Sequence, residues 1–326
     1  MEVLFVKLGA IGDALMARGL PLEVHHRHPG ARFTWMAGRA LAPLVAGLAG
    51  VDEVIPVDAA ALLTGSRPAQ AAALAGAWAA LRLRSFDRVL IGHADPRYRL
   101  LALAARGPRT GFMPGAWPRP GRWHGDEYVR LFTLQDSPPA QRRPLPRLRP
   151  ALAAPLRKAL GRGRKALLFP GGARNLLRDD RLRRWPLEHY AALARLLKKR
   201  GWSVALGGAA EDAWIRPAFA GLGLSDLLGR SDLPQTLALC AAADHVVTHD
   251  SGPLHLAQAS GTRVTALFGP TQPHEKVDPD ADVRVLWGGA DLSCRPCYDG
   301  RGYAACADPA CLREVAPGQV LKTMER

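Results

Sequence analysis

The chain has 326 residues, which at ~150 residues per domain argues for two domains rather than one. Apolar residues make up 48% and charged residues 22%, ordinary globular usage that excludes a disordered or fibrous chain. A formal net charge of +15 calls for an anionic partner, whether nucleotide, phosphorylated lipid, membrane surface or nucleic acid.

The opening MEVLFVKLGAIGD lacks the charged head, long apolar middle and cleavage site of a secretory signal. No apolar stretch reaches the ~18 residues that span a bilayer, so the expectation is a soluble, cytosolic protein. Residues 3–6 read as a buried strand, followed by a glycine-containing loop and a helix beginning near Asp13. Residues 33–36, 54–57 and 89–91 read as further strands, with helices at about 67–84 and 126–134. This βαβα rhythm implies a mainly parallel sheet covered by helices.

The rhythm then restarts. Strands are expected at 166–169, 203–206, 245–248 and 264–268, and helices at 186–200, 233–243 and 252–260. Pro186 suits a first helical position, where its missing N–H has no partner to lose. Gly201 suits the stop after the basic turn Lys198-Lys199-Arg200. Between the halves, residues 137–178 hold eleven basic residues and no acidic one. Pro138, Pro139, Pro144, Pro146, Pro150 and Pro155 stiffen its first part against regular structure. It reads as a solvated interdomain linker, with a polyanion site as the alternative. The domains are therefore expected at 1–150 and 151–326.

Four loops carry the chemistry, each after an apolar strand, where ligands of open α/β sheets gather. In Lys7-Leu8-Gly9-Ala10-Ile11-Gly12-Asp13, Gly9 and Gly12 let backbone N–H groups approach a ligand closely, ahead of the positive end of a helix. Neither GxGxxG nor GxxxxGK[ST] is present. Asp13 is either an N-cap, which the pattern alone favours, or a carboxylate able to take a proton from an attacking hydroxyl. In Pro170-Gly171-Gly172-Ala173-Arg174, continuing to Arg183-Arg184-Trp185-Pro186, glycines followed by arginines suit a phosphate-wrapping loop or a basic solvent-facing one. Gly207-Gly208-Ala209-Ala210-Glu211 offers a carboxylate to ribose hydroxyls or to its own helix start.

The fourth is His249-Asp250-Ser251-Gly252-Pro253-Leu254-His255. The N–H groups around Ser251 and Gly252 can hold a phosphate at a helix N-terminus, and His255 can reach the same anion or serve the core. A Ser-His-Asp triad is disfavoured, because all three would sit on one turn and no GxSxG elbow exists.

Taken in order, these segments resemble glycosyltransferase family 9, the ADP-heptose:lipopolysaccharide heptosyltransferases. The resemblance rests on KLGAIGD, FPGGARN…RRWPLEHYAAL, GGAAED, THDSGPLHLAQASGTRVTALFGPT and the terminal CRPC…C…CLREVAP. It implies a GT-B fold, two Rossmann-like domains with a nucleotide-sugar cleft between them: 1–150 for the acceptor, 151–326 for the donor. It implies an inverting transfer that needs no metal. Asp13 would be the general base with Lys7 beside it. Arg183 would contact the donor diphosphate, Glu211 the ribose, and Asp250, Ser251, Gly252 and His255 match the donor-binding turn; the loop glycines Gly12, Gly171 and Gly172 are the further donor-binding candidates. The implied partners are an ADP-sugar and an anionic glycolipid at the inner face of the inner membrane, with no nucleic acid. The first loop here offers no hydroxyl at Leu8-Gly9-Ala10, and Arg183 stands where the family usually has Lys.

Cys294, Cys297, Cys306 and Cys311 follow a Cys-x2-Cys-x8-Cys-x4-Cys spacing. Such a set reads as a structural zinc site, or, by the resemblance, an iron site; the alternative is plain buried or paired thiols. Cys240 reads as core. Two other functions share these features: the same fold with another nucleotide-sugar or a protein acceptor, and a non-enzymatic polyanion binder.

Overall fold

Each short apolar run singled out above is a strand of a parallel sheet in the computed structural model, which describes residues 1–112, 118–135, 142–299 and 302–325. The chain divides into two compact units, Met1–Pro146 and Arg147–Arg326.

The first unit holds β1 (Glu2–Val6), β2 (Arg32–Gly38), β3 (Glu53–Val57), β4 (Arg88–Ile91) and β5 (Arg109–Gly111), in the order β3-β2-β1-β4-β5. β1 is central because its residues 3–6 are apolar on both faces, as a parallel strand covered on both sides requires. Leu4 and Val6 join a core with Met36, Ile55, Val89 and Leu101. On the opposite face Phe5 meets Trp35 edge-on at 4.8 Å and Tyr128 at 6.1 Å. Tyr128 comes from the helix His124–Thr133, whose first turn is buried all round and whose second adds Leu131 and Phe132 to the buried set.

The second unit holds β6 (Lys165–Phe169), β7 (Ser203–Leu206), β8 (Ser225–Asp226), β9 (His245–His249), β10 (Val264–Phe268) and β11 (Val283–Trp287), in the order β11-β10-β9-β6-β7-β8. Its core gathers Leu168, Trp185, Tyr190, Leu197, Val247 and Leu267, and the C-terminal helix Pro317–Met324 adds Val320, Leu321 and Met324. Trp185 is anchored by its indole N–H on the Val315 carbonyl at 2.9 Å. Cys240 is fully buried in the helix Leu233–Ala242.

Element ends differ in instructive ways. The first helix spans Ile11–Met16, so Asp13 is its third residue and not its cap. The helix expected over 67–84 stops at Leu81, where Arg82 turns extended. Pro186 is the N-cap of the helix Leu187–Lys199 rather than its first residue; it lacks an N–H in either place. β11 and the C-terminal helix have no counterpart in the expected pattern.

Of the basic stretch, Ser137, Pro138 and Pro139 lie outside the described residues. Arg142 grips Asp126 through its Nε and a terminal nitrogen, the shortest contact being 2.6 Å, and Arg143 lies 3.4 Å from Glu23. The later part of the stretch contains the helix Ala154–Leu160 and β6. It is therefore not one solvated run. Among the described residues no helix is long and apolar enough to cross a membrane.

Candidate functional site

In the first sheet the chain's direction of growth reverses between β1 and β4, so the loops after these strands flank one crevice. The loop after β1 delivers Lys7, whose side chain is fully buried, and the following helix delivers Asp13, whose side chain keeps 26% exposure. Lys7 Nζ donates to Asp13 Oδ2 at 2.7 Å. The ammonium also lies 5.9 Å and 6.0 Å from the ring centres of Tyr98 and Tyr128. Burial drives the Lys7 pKa down, and the Asp13 carboxylate works against that shift. The Ala10 N–H reaches the same carboxylate oxygen at 3.4 Å, so a trace of the capping role survives. Gly12, a candidate donor-binding residue, is buried in the first turn of this helix.

The loop after β4 adds a residue the motif reading missed. His93 stacks on Tyr98 at 4.6 Å. Its Nδ1 accepts the Asp95 N–H at 3.0 Å, so the neutral ring carries its proton on Nε2. Burial, and then the charge of Lys7, push its pKa down to about 4. Burial also raises the Tyr128 phenol, as does the charge of Asp13. The result is a solvent-reachable carboxylate with a buried cation behind it and aromatic walls: a proton acceptor held in place. Gly92-His93 directly after an apolar strand was the available signal.

In the second sheet the reversal falls between β6 and β9. The loops after them touch: a Cβ on Gly172 would lie 3.7 Å from Ser251 Oγ, and Gly172 has φ +80°, which a side chain would strain. A Cβ on Gly171 would come 2.5 Å from Asp212 Cγ. Asp212, buried, accepts the Gly172 N–H at 2.9 Å and the Ala209 N–H at 3.0 Å, fixing the glycine loop. Its neighbour Glu211 is exposed at the start of the turn Ala210–Phe219. Of the two carboxylates in GGAAED, the one singled out from sequence is thus not the one that holds the loop. Arg184 Nε donates to the Gly172 carbonyl at 2.9 Å.

Arg183 lies 3.5 Å from Asp250, whose side chain is only 5% exposed. Burial alone would raise the Asp250 carboxyl, but Arg183, Lys276, Thr271 and His255 together hold it below the usual range. Ser251 precedes the helix Gly252–Ser260 in extended conformation, with its hydroxyl turned back onto the His249 carbonyl at 3.2 Å and Thr248 Oγ1 at 3.3 Å. The hydroxyl therefore serves the turn and not a triad. His249 is buried beneath, its Nδ1 3.2 Å from the Tyr190 hydroxyl, and burial pushes its pKa down to about 3. Gly171, Gly172, Arg183, Asp250, Ser251 and Gly252 thus belong to one neighbourhood that can receive an anion at a helix N-terminus. His255, in the first turn of that helix, is buried.

The metal site expected at Cys294, Cys297, Cys306 and Cys311 is not supported. Among the described residues no three His, Cys, Asp or Glu side chains gather so as to hold an ion. The thiols feel one another, since Cys294 and Cys306 add to burial in raising Cys297. They face different tasks, however. Cys294 and Cys306 are exposed, Cys306 Sγ donates to the Asp308 carbonyl at 3.2 Å, and Cys311 packs against the backbone at Gly269 and Gly289.

Residues 126–301 match the family model described as glycosyltransferase family 9 (heptosyltransferase). Lipopolysaccharide heptosyltransferase 2 of Salmonella typhimurium is 27% identical over 318 residues, covering 84% of this chain and 84% of the relative. Lipopolysaccharide heptosyltransferase 1 of Pseudomonas aeruginosa is 27% identical over 315 residues, covering 91% and 86%. Among solved structures, a family 9 glycosyl transferase from Veillonella parvula superposes with TM-score 0.78 at 20% identity, over 99% of this chain and 96% of that one. E. coli heptosyltransferase WaaC with ADP-2-deoxy-2-fluoro heptose gives 0.72 at 21% identity, over 100% and 99%. The fold is accordingly α/β of GT-B type, with two Rossmann-like units.

Proposed function

The chain belongs to glycosyltransferase family 9, and from that premise we propose that it moves a heptose from ADP-heptose to a lipopolysaccharide inner-core acceptor by inverting displacement. Supporting the substrates are the names of the relatives, which are lipopolysaccharide and lipooligosaccharide heptosyltransferases. The observation that carries the donor reading is the abutment of Gly172 on Ser251 at the β6/β9 reversal, with Arg183 and a helix N-terminus beside it.

In this reading the second unit binds the donor and the first supplies the base. An acceptor hydroxyl attacks the anomeric carbon on the face opposite ADP. The new C–O bond forms as the bond to the diphosphate breaks, and the hydroxyl proton passes to Asp13. A carboxylate is a far weaker base than the alkoxide it would generate, so the contribution of Asp13 comes from position late in proton transfer. Lys7 holds that position through its 2.7 Å contact. The leaving diphosphate gathers negative charge, which Arg183, the backbone at Gly171 and Gly172, and the positive end of Gly252–Ser260 stabilise. Glu211, Asp250 and His255 complete the donor site, Glu211 toward the ribose. A net charge of +15 suits two anionic substrates and an anionic membrane face, where we place the enzyme, peripherally and on the cytoplasmic side.

Incubation with ADP-heptose and heptose-deficient lipopolysaccharide, read by ADP release and the mass of the glycolipid, tests the reading. Transfer is expected from ADP-heptose and not from GDP- or UDP-sugars. Turnover with a UDP-sugar alone would replace it by the reading with another donor.

A further inference from the structure

We propose that Tyr298 and Tyr303 are positioning residues for Arg183, so that the cysteine-bearing segment completes the diphosphate site of the second unit; this rests on the reading of Arg183 as a diphosphate ligand. Arg183 Nε donates to the Tyr303 hydroxyl at 2.6 Å. The guanidinium carbon lies 4.8 Å over the Tyr298 ring and 5.8 Å from the Tyr303 ring. An arginine side chain has many rotamers, and pinning Nε and one face removes most of them before a ligand arrives.

The terminal nitrogens are left in looser contacts, 3.5 Å from Asp250 and 3.7 Å from Asp180. Those distances are long for charge-assisted hydrogen bonds, so the same nitrogens can take up phosphate oxygens without losing the tyrosine anchor. Tyr303 accepts from Arg183 with a lone pair, so the phenol holds the arginine without competing for its terminal nitrogens.

The tyrosines are themselves fixed to a loop at the same strand ends that carry the site. They pair as an antiparallel bridge with ring centres 4.9 Å apart, and the Ala304 N–H donates to the Cys297 carbonyl at 3.1 Å. The N–H groups of Cys297 and Tyr298 donate to the Pro270 carbonyl, in the loop after β10, at 3.0 Å and 3.1 Å. Arg178 reaches the Tyr298 hydroxyl at 3.3 Å.

A double-mutant cycle in ADP binding by titration calorimetry tests the assignment. Tyr303→Phe keeps the ring and removes the anchor, and is expected to weaken ADP by about five- to tenfold. Arg183→Gln should weaken it further, and adding Tyr303→Phe to Arg183→Gln should change nothing beyond about twofold, because the tyrosine acts through the arginine. Losses that multiply, or unchanged affinity in Tyr303→Phe, overturn the proposal. Should Tyr303→Phe lower the ligand-free melting temperature sharply, the same cycle with Tyr298→Leu decides. Wild-type protein that binds no ADP would instead remove the donor reading on which this rests.

Discussion

Two sheets of similar topology present different charge arrangements at the same architectural place. At the β1/β4 reversal the charges are already matched: Lys7 is buried against Asp13 at 2.7 Å, with aromatic rings beside its ammonium and the carboxylate open to solvent. At the β6/β9 reversal glycines bring bare backbone forward, Arg183 sits in loose contact with its carboxylates, and a helix starts. The first arrangement suits holding a proton acceptor. The second suits receiving an anion from outside. The parallel sheet dictates where ligands can gather; which ligand depends on a few side chains in the loops after its central strands.

The largest expected effect separates these roles most cleanly. Asp13→Asn should lower transfer by about a thousandfold, within the range for loss of a general base, while ADP affinity in calorimetry stays within a few-fold. Wild-type turnover in that variant would take Asp13 out of the mechanism and erase the division of labour.

Next is acid. His93 in the first unit and His245 and His249 in the second have pKa values pushed down by burial, to about 4, 4 and 3. The unfolded chain binds protons at these rings below ~6.5 and the folded chain does not until lower pH, so stability is full above ~6.5 and falls as pH drops toward 4. Each contributes up to about 3 kcal/mol over that window, and the second unit holds two of them. Urea melts followed from pH 7 to 4 should show it. His93→Gln should flatten the slope by roughly a third, and a slope that survives intact would show that His93 is not buried as a neutral ring.

Smaller still, Asp212→Asn leaves the N–H groups of Gly172 and Ala209 with a weaker acceptor, at about 1–2 kcal/mol of stability, with a parallel loss of ADP affinity. Glu211→Gln, at an exposed position, should leave the melting temperature unchanged, so the two neighbours tell apart loop support from ligand contact. Smallest of all, Cys306→Ser at an exposed thiol is expected to shift stability by less than ~0.5 kcal/mol in thermal melts. A large loss there would show that the cysteine segment depends on its thiols.

The strands were legible because a parallel strand covered on both faces is mostly a continuous apolar run, as at 3–6 and 166–169, and at 264–268 only Thr265 interrupts it. The glycine loops after them were legible for the same local reason, since close backbone approach needs residues without a Cβ. Strand order was not local, and with it went every partner that strand order brings in. His93 and Tyr98 reach Lys7 only because β4 lies beside β1, and Asp212 rather than Glu211 faces the glycine loop only because of how the turn after β7 packs. Tyr303 meets Arg183 across 120 residues of chain. The amino-acid sequence by itself determined the two α/β runs and the loops that can carry chemistry, because burial and turn geometry act over a few neighbouring residues. The tertiary structure alone decided which side chains stand behind Asp13 and Arg183, because that depends on which distant strands become neighbours in the sheet.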